Sequence, residues 1–309
     1  MSANTYTTDD LVSDVLLLGH IPTGQNTFTP STILQIANLE SMLPVLKQIL
    51  STRGGYYLTY QDQAIVASGL YQIPGDAISG ALANVELIQN TTIIQVNQIE
   101  EPEQFSTISP TSTSYGFFPR GNYVQILPTP NIGTCRLWYF KRLSEMVITS
   151  AAAQITAINS NVYTVSSFPS TMLVGTSCDF CGDQPPFNLL AEAQAITNIS
   201  GTDLTFTAAI TGVAVGDWIA LNGQTPVPQI PVEYRLLLAQ RVVCKIYELQ
   251  GYLQKLQAAQ MKLKEYEDAT ITLITPRIKR QTKIINPING GFLAGNQNKL
   301  TNFPAGKDG

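Results

Sequence analysis

Histidine is nearly missing: His20 is the one imidazole in 309 residues. Ser–His–Asp hydrolysis, imidazole-ligated zinc and histidine acid–base work would all have to run through that side chain. It lies in Leu18-Gly19-His20-Ile21-Pro22, just past an expected helix end, where the helix dipole favours histidine without any chemical role. Charge is scarce too. Asp, Glu, Lys and Arg make up 13% of the chain, against ~25% in an average soluble protein. The hydrophobic share of 44%, with a net charge of −4, excludes a disordered chain. Thr, Ser, Asn and Gln replace the missing charge, alongside 22 Gly and 18 Pro. Such a surface suits a protein largely buried against partners, or a β-rich one with polar turns.

The phosphate-binding patterns Gly-x-Gly-x-x-Gly and Gly-x(4)-Gly-Lys-Ser/Thr are absent, and so is the Gly-x-Ser-x-Gly elbow. No stretch approaches the ~20 consecutive apolar residues of a membrane span. The opening carries Asp9, Asp10 and Asp14 and lacks the basic region of a secretory signal, so a soluble chain made inside a cell is expected. Cysteines number four. Cys178-Asp179-Phe180-Cys181 is a lone C-x-x-C pair, and neither Cys135 nor Cys244 has a Cys or His nearby to complete a zinc site. Gly182 and Pro185-Pro186 follow the pair, which predicts a turn rather than the helix start of a thioredoxin-like centre. Reduced structural thiols are expected. Glu100-Glu101-Pro102-Glu103 could hold a cation or form an acid–base pair; beside a polar Ser/Thr/Pro loop it reads as a solvated turn. No metal, cofactor or catalysis is expected.

What is present points to an α+β chain in five parts. Residues 1–54 read as helices. Thr7 or Thr8 caps one bearing Leu11, Val15 and Leu18, and Thr29 with Pro30 opens a second. The second stripe is Ile33, Ile36, Ala37, Leu43, Leu46 and Leu50, with a kink at Pro44. Residues 55–149 read as β and turn, with strands at 56–60, 93–96, 123–127 and 135–140. The last two look like a hairpin, and residues 100–121 like an exposed loop. Residues 150–228 contain a repeat at an offset of 41: Ile155-Thr156-x-Ile158 matches Ile196-Thr197-x-Ile199, Tyr163-Thr164-Val165 matches Leu204-Thr205-Phe206, and Val174-Gly175 matches Val215-Gly216. Two such copies predict a small inserted β-sandwich or barrel.

Residues 229–275 hold the longest helical pattern. Val242, Ile246, Leu249, Leu253, Leu256 and Leu263 recur by threes and fours, broken once at Gln260, as a packing seam, a candidate subunit interface in its second half. Gly251 divides or kinks the stretch. Residues 276–309 read as an extended basic arm, with 6 Lys/Arg against Asp308 alone from Arg277 onward. Ile278, Ile284 and Ile285 among the charges suit an arm that adds to a neighbour's sheet. The asymmetry is global: residues 1–228 carry 6 Lys/Arg and 16 Asp/Glu, residues 229–309 carry 12 and 6. An acidic partner for the C-terminal part is implied, although no helix-turn-helix, finger or aromatic-interleaved basic pattern supports direct nucleic-acid readout.

Several segments in order resemble the head-to-tail adaptor (connector) proteins of tailed bacteriophages. They are Asp10-Leu11 to Ile21-Pro22, Phe28-Thr29-Pro30 to Leu43-Pro44, Tyr71-Gln72-Ile73-Pro74, and Val124 to Pro128. Arg136-Leu137-Trp138-Tyr139-Phe140, Pro228-Gln229-Ile230-Pro231 to Arg241, and Leu273 to Arg277 with Lys283-Ile284-Ile285 continue the series. The resemblance implies a helical core with β elements and a ring, commonly of twelve copies, in the virion neck, assembled in the host cytoplasm. Such a ring docks beneath the portal protein, carries tail or further neck proteins and surrounds the DNA channel. Arg277, Lys279, Arg280, Lys283, Ile284 and Ile285 become candidate portal contacts. The acidic excess of residues 1–228 would line a channel through which DNA slides. Alternatives are another virion structural protein (tail tube, stopper or fibre attachment), which the β repeat would suit, or a peptidoglycan-cleaving or redox enzyme using Glu100–Glu103 or the C-x-x-C pair.

Overall fold

The structure, a computed structural model, describes residues 6–22, 27–52, 55–100, 115–182 and 189–274. It is a mixed α+β chain. Helix α1 (Thr8–Leu18) starts on a reciprocal cap: Asp10 N–H donates to Thr7 Oγ1 at 3.4 Å and Thr7 N–H to Asp10 Oδ2 at 2.8 Å. Helix α2 (Pro30–Glu40) starts on Thr29 with proline at its first turn. The kink expected at Pro44 takes the form of a π turn, Ser41–Val45, before α3 (Leu46–Thr52). A π turn advances the chain by an extra residue and rotates the helical segment after it. Leu43, expected on the buried stripe, is consequently 72% exposed, while Val45, Leu46 and Ile49 are buried.

Helix α4 (Val232–Gln250) ends at Gly251, whose φ of +72 is the left-handed conformation glycine adopts without strain. Helix α5 (Leu253–Ile274) comes next and packs back along α4. Leu11, Val15, Ile33, Ala37, Leu237 and Val242 share one core beneath these helices. Tyr247 Oη donates to the Gly19 carbonyl at 2.8 Å, tying α4 to the end of α1.

Between the two helical regions lies a seven-stranded sheet in the order β1-β7-β3-β4-β5-β6-β2. The strands are β1 (Leu58–Ala64), β2 (Leu70–Gln72), β3 (Ala77–Gln89), β4 (Thr92–Gln98), β5 (Gly116–Arg120), β6 (Tyr123–Leu127) and β7 (Thr134–Lys141). The expected hairpin of residues 123–127 with 135–140 does not form. β6 pairs with β5 and β2, and β7 with β1 and β3. The expected loop of residues 100–121 contains β5. Short β8 (Glu145–Met146) leads into the next module.

Six strands then close into a barrel: β9 (Ala153–Asn159), β10 (Val162–Val165), β11 (Ser177–Cys181), β12 (Leu189–Ser200), β13 (Asp203–Phe206) and β14 (Trp218–Leu221). β10 to β13 and β11 to β14 recur at the 41-residue offset. Tyr163 lies opposite Leu204, and Asp179 opposite Ala220. Both pairs join equivalent positions, so the pseudo-two-fold axis relating the halves runs through both. Side-chain bonds repeat as well: Thr156 Oγ1 donates to the Thr164 carbonyl at 3.1 Å, and Thr197 Oγ1 to Thr205 at 3.0 Å. Tyr163, Phe180 and Phe206 fill the interior edge-to-face, with ring centroids 4.8–5.7 Å apart. The exit strand β15 (Gln224–Thr225) pairs in parallel with β8, which Asn38 on α2 holds through two bonds to the Met146 backbone.

Candidate functional site

The thiol pair does not lie in a turn. Cys178 and Cys181 sit on β11, Cys178 in the barrel interior and Cys181 in a separate cluster with Trp218 and Val227. Both are buried, and burial pushes both thiols up to about 12. The same cause raises Cys135 to about 12 and Cys244 to about 11. Thiols held so far from ionisation are poor nucleophiles. Glu100 is exposed just beyond β4; Glu101 and Glu103 lie outside the described residues. His20 is exposed and has φ +44. Among the described residues, no group of three or more His, Cys, Asp and Glu could hold a metal ion.

The apolar seam of the C-terminal helices divides. Val242 and Ile246 are fully buried in the chain's own core, and Leu256 and Leu263 pack against it. These four are used up by the antiparallel closure of α5 on α4. Leu249 and Leu253 flank the Gly251 turn and are 62% and 71% exposed. With them stand Leu17 on α1, Leu39 on α2, Leu43 on the π turn, and Met261 and Leu273 on α5, all exposed. Single exposed apolar residues are ordinary; here they recur on α1, α2, the π turn, α4 and α5. Among the described residues, no helix is long and apolar enough to cross a membrane.

Ion pairs join these helices. Arg241 on α4 pairs with Glu40 of α2 at 3.8 Å and with Glu267 of α5. Burial raises the Glu40 carboxyl and Arg241 opposes the rise. At the sheet, Lys141 on β7 reaches Asp76 at 3.8 Å and Glu192 on β12, linking sheet to barrel. Asp179, at the centre of the C-x-x-C pair, is buried and accepts the N–H groups of Ala193 and Gly223 at 2.8 and 2.7 Å. Sequence reading passed over Asp179 because its flanking cysteines drew the chemical interpretation. An acid in an otherwise apolar strand was the available signal.

No protein-family model matches this chain, and no curated protein matches it.

The expected portal contacts, Arg277, Lys279, Arg280, Lys283, Ile284 and Ile285, lie outside the described residues. The described part carries exposed leucines on its helices, with Arg241 pairing α4 to α2 and α5, together with a sheet and a closed barrel.

Proposed function

We propose that this chain is a structural subunit without catalysis that forms a ring joining a phage portal to its tail and surrounding the DNA channel. The observation that carries this reading is the recurrence of exposed large apolar side chains on α2, the π turn, α4 and α5. Burying them between neighbouring copies would remove their contact with water, worth roughly 25 cal/mol per Å² of apolar area. A low charge content agrees, since charged side chains are depleted at interface cores. The segment resemblance to head-to-tail adaptors supplies the ring, the portal and the twelve copies. The basic arm from Arg277 supplies contacts for an acidic partner.

Electron microscopy of the purified chain with portal tests the reading. Rings that lose portal binding when residues 277–309 are deleted are expected. Monomers indifferent to portal would overturn the proposal, and a ring with a basic lumen would overturn the acidic channel. The duplicated barrel favours a second reading, a tail or fibre-attachment subunit; a ring that binds tail fibres but never portal would select it.

A further inference from the structure

The end of α1 and the α4–α5 hairpin enclose a cleft of about 270 Å3. Its lining grades from buried Val243 and Ala259 to exposed His20, Lys255 and Lys262. The two lysines are seven residues apart on α5, two turns and ~10 Å along the axis. The Lys255 ammonium stands 5.1 Å from the Tyr252 ring centroid and 5.8 Å from that of Tyr247, within cation–π range. Neither lysine, nor His20, forms an ion pair among the described residues. An apolar hollow of about 350 Å3, lined by Leu16, Leu17 and Ile21, adjoins the cleft and shares His20 with it.

His20 is held at a cost. Its N–H donates to the Leu17 carbonyl at 3.2 Å, and the Ile21 N–H to Leu16 at 2.9 Å. These bonds make a helix-ending turn whose left-handed position glycine usually fills. Gly19 is right-handed here, with φ −83, and His20 takes φ +44. A strained non-glycine residue at the junction of two hollows points to a task for its side chain.

We propose that the cleft and hollow together dock an acidic peptide segment of another protein. An apolar side chain of the peptide seats beside Leu17, its carboxylates meet Lys255 and Lys262, and the His20 ring donates a hydrogen bond. Unpaired ammonium groups select negative charge, and the adjoining apolar hollow selects a peptide over a purely ionic ligand. The inference does not depend on the ring.

Fluorescence polarisation of a labelled peptide alternating Glu and Leu, titrated with the full chain, tests it. Binding is expected that weakens with salt, and a Gln-for-Glu counterpart should not bind. Lys255→Gln and Lys262→Gln should each weaken affinity about threefold, and the pair about tenfold. Lys245→Gln, whose ammonium pairs with Glu248, should leave affinity unchanged. His20→Gly should raise the melting temperature yet weaken binding, the opposite of damage to the fold. Unchanged affinity in the double lysine variant would overturn the proposal. Displacement of the peptide by inorganic pyrophosphate would overturn it in favour of a phosphate site. A changed oligomeric state of the lysine variants in light scattering would overturn it in favour of a second copy.

Discussion

Replacing Asp179 by alanine is the sharpest test of how the barrel is held. The residue is 1% exposed and lies on the pseudo-two-fold axis opposite Ala220. One half of the duplicated module therefore carries an acid where the other carries a methyl group. Its two oxygens take the N–H groups of Ala193 and Gly223. Ala193 has φ +51, a backbone that side-chain-bearing residues rarely adopt, and Gly223 starts the exit from the barrel. Asp179→Ala deprives both donors of this acceptor, while Ala193 and Gly223 are themselves exposed and water can reach them in part. Hydrogen bonds to a charged group contribute about 1.5–3 kcal/mol each, so the gross loss is about 3–6 kcal/mol. Part is offset because burial disfavours the carboxylate. Desolvation raises its pKa above the ordinary 3.8, with the two backbone bonds pulling the other way. A net loss of about 3 kcal/mol is expected. Urea unfolding measures it, and amide hydrogen exchange locates it at Ala193 and Gly223. A carboxyl whose folded pKa is raised contributes stability that is full below the unfolded pKa and is lost as pH rises through the folded one. The gap between wild type and Asp179→Ala should accordingly widen as pH falls through the raised value towards 3.8. A variant within about 0.5 kcal/mol of wild type, with both amides still protected, would refute the reasoning.

His20→Gly should stabilise the chain by about 1 kcal/mol in thermal unfolding, because it removes a left-handed non-glycine residue. Gly133→Ala should destabilise by at least about 2 kcal/mol: its φ is +107, and a Cβ would sit 2.2 Å from the Ile88 carbonyl oxygen, in the β3–β7 ladder. A thiol reagent at neutral pH should leave all four cysteines unmodified in the folded chain and react with them only on unfolding, since each is buried and resists ionisation. Arg136→Leu should leave the denaturant midpoint almost unchanged, because the pair with Asp62 at 2.7 Å is partly exposed and screened.

The helices were legible because their signals are local. Thr7 and Thr29 cap, Pro30 sits in a first turn, and Gly251 stops α4 in the left-handed conformation. The repeat was legible because the same local pattern is written twice: residues matched by offset alone occupy equivalent strands and turns. Sheet order was not. β3 runs through Ser79 and Gly80, both at positive φ, and its pairing with β7 shifts register twice. Simple alternation is lost there, and only contact with β7 identifies the strand. The exposed leucines were not separable from the buried ones either. Leu43 and Leu46 look alike in the stripe until the π turn leaves the first exposed and the second buried. Leu249 and Leu256 share a seam until α5 folds back and covers only the second.

By itself the sequence determined the elements whose causes lie within a few residues, the duplication of the barrel, and the poverty of charge and imidazole. Tertiary structure alone decided which apolar side chains remain outside, where Lys255, Lys262 and His20 meet, and that an acid between two cysteines binds backbone rather than performs chemistry. The physical reason is range. Caps, turns and periodicity act along the chain, whereas exposure, pairing order and the grouping of charges depend on segments far apart in sequence coming together.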